Sequence, residues 1–437
     1  MSVQKKGSSN DDKDIAIACV LFTAVGVGYL FPFSALTQPV DYWHKVFPDF
    51  NIEFPLTTLY MWVNLIFLFL IVFFGGEPSY TFRIVGGFVG QLLVLIAVPS
   101  FYFLHMDEHT HYTMIMLATA VAAITTAFVD SVAIGFAAQF PTRVQEALQF
   151  GIGFSTLIGS VYRVITKLVF PVDQVVESSL LYFYSGAVTI VLCIFAYYYI
   201  LTLPLTKRCL SFGVSQDGNT TSSNEDSANL LTKDAEQGSI QLQSRQKCDT
   251  GYGSIDQSAD VIEEGPINRW VLLRKVAFSE FIVFVLFFST LLLWPPLITE
   301  IKSFNFPALQ ATQWWPLILL LVFSSSDCIG RLCLSYRGWL NGDNIWMAVL
   351  ARFALFPLIV CSAKGIIFTH DIFSVVFVFL LGYTNGYLGS LAILFVNEQV
   401  SEHEKGLVGT FTGFFLNMGL VFGATFALGV EQWVLQK

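Results

Sequence analysis

The stretch Val322–Leu334, VFSSSDCIGRLCL, places Asp327 and Arg331 four residues apart inside an otherwise apolar run. A charge at the centre of a membrane helix costs roughly 2.5 to 3.5 kcal/mol on insertion scales, so a helix that carries two is expected to use them. The i,i+4 spacing stacks both on one helix face, where they can neutralise each other or grip a polar guest. That face is expected to point at protein or water, away from lipid.

The rest of the chain sets the context for that helix. Its 437 residues are 54% hydrophobic and 13% charged, against about 25% charged in an average soluble protein. This is the composition of an all-α polytopic membrane protein. The net charge of -9 is spread over loops and one polar insert, so no nucleic-acid reading follows from it. The polar opening MSVQKKGSSNDDKD is followed by an apolar stretch long enough to span, so no cleavable signal peptide is expected and the N-terminus is expected in the cytosol.

Eleven mostly apolar runs lie near 15–38, 55–75, 82–104, 112–139, 146–169, 178–204, 276–299, 312–336, 345–367, 371–396 and 406–433. Each approaches or exceeds the roughly 20 residues needed to cross a bilayer. An odd number sends the termini to opposite sides. With the N-terminus inside, fifteen Lys and Arg fall in cytosolic segments, against Lys45, Lys302, Lys364 and Lys437 outside. The positive-inside rule therefore favours a cytosolic N-terminus and an outer C-terminus, and it still does when the eight in one long segment are discounted.

That long segment, 206–268, is rich in Ser, Asn, Gln, Asp and Lys and has almost no aromatic residues, so a disordered cytosolic linker is expected. The organisation expected is a cytosolic tail (1–14), a six-helix bundle (15–205), the linker (206–268) and a five-helix bundle (269–437). Two bundles rocking about a central site suit an alternating-access carrier. Within the linker, Asn219-Thr220-Thr221 matches a glycosylation acceptor but is expected to face the cytosol unused. Asp226 to Leu231 and Tyr252 to Ile255 look like dileucine and tyrosine-based sorting signals for cytosolic adaptors.

Enzyme signatures are absent from the sequence. There is no phosphate-binding Gly-rich loop ending in Lys-Ser or Lys-Thr, no HExxH and no GxSxG. The seven cysteines imply no disulfide framework. His105, His109 and His111 cluster with Asp107 and Glu108 in an outer connection, where a solvated loop is favoured over a metal or pH-sensing site. No cofactor or metal is expected. Glycines at Gly382 and Gly386, Gly409 and Gly413, and Gly419 and Gly423 have the spacing of close helix approach.

Function is therefore sought among the intramembrane polar residues. Besides Asp327 and Arg331 these include Asp130, Arg163, Lys167, Arg352, Asn385 and Asn417. Asp130 lies eleven residues before Pro141 and Asp327 ten before Arg337, which places the two acids at similar depth, one in each bundle. Arg352 either snorkels to the cytosolic face or completes a charge network with Asp327 and Asn385. Lys167 is expected to snorkel at the outer end of its helix.

These residues carry a resemblance. Ser324 to Arg331, SSSDCIGR, resembles the eighth-helix signature of the equilibrative nucleoside transporter family, solute carrier family 29. Gly382 to Phe395 resembles its tenth helix and Gly406 to Ala424 its last. Gly28 to Phe33, Phe140 to Arg143, Arg163 to Lys167 and Leu350 to Phe353 with Pro357 follow in the family's order. The resemblance implies a fold like that of the major facilitator superfamily. It also implies that Asp327 and Arg331 face a nucleoside, with the guanidinium addressing ribose hydroxyls, as a planar fork of donors can.

By the same resemblance Phe33 packs on the base, flanked by Leu30 and Thr37, while Trp294 and Leu420 supply further walls. Aromatic side chains stack on any flat base, which suits broad specificity. Two positions depart from the pattern: Asp130 stands where many members have Gln, and Ser324 where Asn is common. Gln can donate and accept, whereas an ionised Asp only accepts and attracts a proton or cation.

The resemblance and Asp130 lead to a transporter of nucleosides or nucleobases, facilitative or coupled to protons through Asp130. The alternative is a carrier of organic cations and monoamines, like one divergent branch whose fifth-helix Glu aligns with Ile152 here. A non-transporting receptor or scaffold would not need charges from both halves at one depth. Apart from the bilayer and the adaptors, nucleosides or related small molecules are the expected partners, and the plasma membrane is favoured over an endosomal or lysosomal one.

Overall fold

The computed structural model describes residues 4–48, 52–75, 79–104, 106–171, 173–211, 268–401 and 403–430. The Asn219 acceptor, both sorting-like motifs, Cys248, His105 and most of the 206–268 linker lie outside the described residues. Eleven long helices run through the rest: α1 (Gln4–Thr37), α2 (Glu53–Phe74), α3 (Tyr80–Ser100), α4 (Glu108–Asp130), α5 (Thr142–Val169), α6 (Val175–Thr202), α7 (Arg269–Leu291), α8 (Trp314–Leu332), α9 (Ile345–Lys364), α10 (Asp371–Glu398) and α11 (Lys405–Val430). Helices close all their backbone hydrogen bonds within one segment, which is why chains this apolar adopt them in lipid. Ten of these helices are long and apolar enough to cross a bilayer. α7 is not in that group because Arg274, Lys275 and Glu280 fall inside its apolar stretch.

Capping and proline chemistry set the helix ends. Asp107 accepts from the Thr110 amide at 3.0 Å and its hydroxyl at 2.7 Å, starting α4. Those two bonds hold its carboxyl below the ordinary value for an aspartate. α7 departs from the expected run 276–299. Asn268 starts it early by accepting from the Trp270 and Val271 amides at 3.1 and 3.4 Å. Pro295 and Pro296, which have no amide hydrogen, follow its early stop at Leu291. Trp294 consequently stands in the turn after the helix.

Two further expected runs are interrupted where function was sought. The run 112–139 divides into α4, which ends at Asp130, and a short helix Ala133–Ala137. α9 contains a 3-10 turn at Arg352–Ala354. α1 also extends upstream of its apolar run, into the polar tail.

In the packing, α1 lies along α5 and α6, α4 along α2 and α3, α7 along α11 and α10, and α8 along α10. α5 also packs on α8, and α2 on α11. The glycines permit this proximity: a Cβ at Gly386 of α10 would collide with the Asp327 backbone of α8, and one at Gly409 of α11 with Gly135. Large apolar side chains such as Phe74, Leu93, Leu168, Phe195 and Ile366 are exposed, the surface of a body solvated by lipid.

Candidate functional site

A cavity with about 870 Å³ of space between its walls is lined by α1, α2, α4, α5, α7, α8, α10 and α11 and by the turn after α7. Its lining is mostly apolar. Leu30 and Phe33 come from α1, Ile152 from α5, Leu416 and Leu420 from α11, and Trp294 and Phe323 face in from the other side. Trp294 and Phe323 stack with centroids 4.9 Å apart, and Phe33 tilts against Tyr60 at 5.1 Å.

Two polar clusters interrupt this wall. The first is the Asp327–Arg331 pair, joined at 2.8 Å through Nε and Oδ2. The Asp327 carboxylate also accepts from Asn385 Nδ2 at 2.6 Å. Arg331 Nη1 donates to the Gln149 carbonyl of α5 at 2.7 Å and approaches Ser390 Oγ at 3.3 Å. Gly153, one turn further along α5, leaves room for this arrangement: a Cβ there would collide with Arg331 Nε and Asp327 Oδ2. Both charges are almost fully buried, and the pair satisfies itself with hydrogen bonds from three helices, as a buried ion pair requires.

Behind Asn385 the hydrogen bonds continue. Thr290 Oγ1 donates to Asn385 Oδ1 at 2.7 Å and accepts from Arg352 Nη1 at 2.8 Å. Arg352 is 4% exposed. It also binds the Leu286 carbonyl and Ser289 at 2.9 Å, and through Nη2 the Leu381 carbonyl at 3.2 Å. It therefore does not snorkel, and its link to Asp327 passes through Thr290 and Asn385.

The second cluster surrounds Asp130. Asn64 Nδ2 donates to Asp130 Oδ2 at 2.9 Å, while Tyr60 and Gln91 both donate to the Thr126 hydroxyl, at 2.7 and 3.0 Å. Tyr29 and Asn417 face Asp130, and among the described residues neither Asp130 Oδ1 nor the Tyr29 hydroxyl closes a hydrogen bond. Among the described residues no Lys, Arg or His lies within ion-pair distance of this carboxylate.

Of the residues singled out from sequence, Asp130, Asp327, Arg331, Asn385, Leu30, Phe33, Trp294 and Leu420 line the one cavity. Thr37, Ser324 and Arg352 are not among the lining residues. The Thr37 hydroxyl turns back to the Phe33 carbonyl at 3.0 Å. Ser324 bonds the Leu320 carbonyl at 2.9 Å and meets Ser160 of α5 at 3.3 Å, a contact between helices. Lys167 reaches the Thr312 and Gln313 carbonyls at the start of α8, at 3.0 and 3.1 Å, and lies over the Trp314 ring. Arg163 is buried against Asp41. Among the described residues no group of three His, Cys, Asp or Glu could hold a metal, and His111 packs on Phe47 at 5.5 Å.

Sequence reading passed over Tyr29, Asn64, Gln149, Gly153 and Thr290. Asn64 had a visible signal, as a lone amide in the run Met61 to Phe69. Gln149 meets Arg331 mainly through its backbone carbonyl, at 2.7 Å, which leaves no mark in sequence, with its side-chain oxygen further off at 3.4 Å.

A family model described as Nucleoside transporter matches residues 86–432. The chain is 27% identical to equilibrative nucleotide transporter 1 of Arabidopsis thaliana, over 94% of this chain and 85% of that one. It is 24% identical to equilibrative nucleoside transporter 1 of Homo sapiens, over 83% and 78%. Its fold is similar to that of XylE from E. coli, a proton:xylose symporter of the major facilitator superfamily, at a TM-score of 0.62 and 11% identity, covering 96% of this chain and 90% of that one.

Proposed function

The chain belongs to the nucleoside transporter family, as a multi-pass membrane transporter and not an enzyme, and from that premise we propose that it carries nucleosides by alternating access. Residues 15–205 and 269–437 act as two bundles that rock about the cavity, joined by the 206–268 linker, with the N-terminus in the cytosol. One observation supports this above the others: charged residues from both segments, Asp130 and the Asp327–Arg331 pair, line a single cavity.

In this reading the ribose meets Asp327 and Arg331. Vicinal hydroxyls donate to the carboxylate, while the guanidinium keeps a second edge for their oxygens. Leu30, Phe33, Trp294 and Leu420 receive the apolar faces of the base. Arg331 also holds Gln149 of α5. A ligand that competes for the guanidinium changes a contact between the two segments, and this is how binding biases the rocking motion.

Among the described residues Asp130 has no cation partner, and that favours a proton-linked form of the same cycle, in which Asp130 takes up and releases a proton. The plasma membrane is the proposed location. Uptake of radiolabelled adenosine and uridine at pH 7.5 and 5.5, in cells without their own carriers, tests the proposal. Saturable uptake supports it, and no uptake by protein present at the cell surface overturns it.

A further inference from the structure

Among the described residues, the Asp130 cluster leaves polar atoms unmatched in a way that the first cluster does not. Asn64 is oriented by its neighbours: Nδ2 donates to Asp130 Oδ2 at 2.9 Å and approaches the Ala123 carbonyl at 3.4 Å. Among the described residues its Oδ1 closes no hydrogen bond, and neither do Asp130 Oδ1 and the Tyr29 hydroxyl, which with Asn417 faces that carboxylate. All three side chains line the cavity, and each is at most 4% exposed. A buried polar atom left unpaired carries its full desolvation penalty. The wall thus presents two carbonyl-type acceptors and one phenolic O–H beside each other.

We propose that this end of the cavity selects bases with an amidine edge, an exocyclic NH2 next to an unprotonated ring nitrogen, as in adenine and cytosine. The inference rests on the nucleoside reading and names its substrate class. With Asp130 ionised, the two N–H bonds of the amine donate to Asp130 Oδ1 and Asn64 Oδ1, and the ring nitrogen accepts from the Tyr29 hydroxyl. Hypoxanthine and uracil invert that edge. Their carbonyl oxygen faces two acceptors, and their ring N–H faces a phenol that has no better acceptor to offer than its own oxygen. A site built to satisfy hydrogen bonds discriminates strongly against a ligand that leaves them unmade. Ring size is not read this way, so a purine and a pyrimidine with the same edge are both accepted.

The test uses the full-length protein in proteoliposomes at pH 7.5, with two pairs of substrates that differ only at this edge: adenosine against inosine, and cytidine against uridine. The proposal expects kcat/KM to favour the amino member of each pair by about tenfold or more, the effect of one buried hydrogen bond exchanged for a repulsive contact. Asp130→Asn, whose amide can donate to a carbonyl, narrows both ratios. Tyr29→Phe slows adenosine and cytidine more than inosine and uridine. Equal handling of both members of each pair by the unsubstituted protein overturns the proposal, whether or not the variants fold. So do ratios that Asp130→Asn and Tyr29→Phe leave unchanged. Uptake of none of the four by folded, reconstituted protein overturns the nucleoside reading itself, an outcome distinct from uptake without discrimination.

Discussion

Arg331 on α8 donates to the Gln149 carbonyl on α5 at 2.7 Å while its Nε holds Asp327 at 2.8 Å, so one guanidinium ties a carboxylate on its own helix to the backbone of a neighbouring one. Lys could make one of these contacts but not both in the same geometry. The space for the arrangement comes from Gly153, and the orientation of the carboxylate from Asn385. Each of these supports predicts a measurable effect.

Gly153→Ala places a methyl group where Arg331 Nε and Asp327 Oδ2 now lie. The pair must separate or α5 must move away. Adenosine uptake per surface copy is expected to fall about tenfold or more, the effect of losing one charge-assisted hydrogen bond. Uptake normalised to surface biotinylation measures it, and unchanged uptake would show that the pair can shift freely.

Thr290→Val removes the hydroxyl between Arg352 and Asn385 with little change of shape. Two buried hydrogen bonds lose a partner, at 2.8 and 2.7 Å. The purified protein should lose about 1–3 kcal/mol of stability, the cost of a buried polar group left unpaired. A lowered thermal midpoint in detergent, with weaker uptake, is the expected outcome.

Lys167→Met deletes the ammonium that bonds the Thr312 and Gln313 carbonyls from α5. The contact joins the end of α5 to the start of α8, so its loss should favour conformations in which those ends separate. The expected readout is faster labelling of a cysteine placed at Gln313 by a membrane-impermeant maleimide, with Lys167→Arg retaining most of the protection.

The proton-linked reading predicts acid-stimulated uptake. Wild-type transport at pH 5.5 should exceed that at pH 7.5, and Asp130→Asn should respond to pH weakly or not at all. Equal stimulation in both proteins would place any coupling proton elsewhere.

The charged residues of this site were legible in sequence because charges inside apolar runs are rare and their spacing reports a shared face. Asp130, Asp327 and Arg331 were found in that way, and all three line the cavity. Neutral partners were harder to recognise. Tyr29 is one of 16 tyrosines, and only its position on α1 beside Asp130 gives it a role. Thr37 and Ser324 carry suitable side chains, yet the first bonds its own helix and the second meets Ser160. Where helices stop was also only partly readable: the Pro295–Pro296 pair accounts for the end of α7, whereas the break after Asp130 has no proline or glycine to announce it.

The most direct test of the central claim is adenosine uptake by proteoliposomes that contain either the unsubstituted protein or Arg331→Lys, at matched incorporation. The account predicts saturable uptake that falls at least about tenfold in the variant, because a point charge cannot hold Asp327 and Gln149 and still address two hydroxyls. Near-normal uptake by folded Arg331→Lys would contradict it.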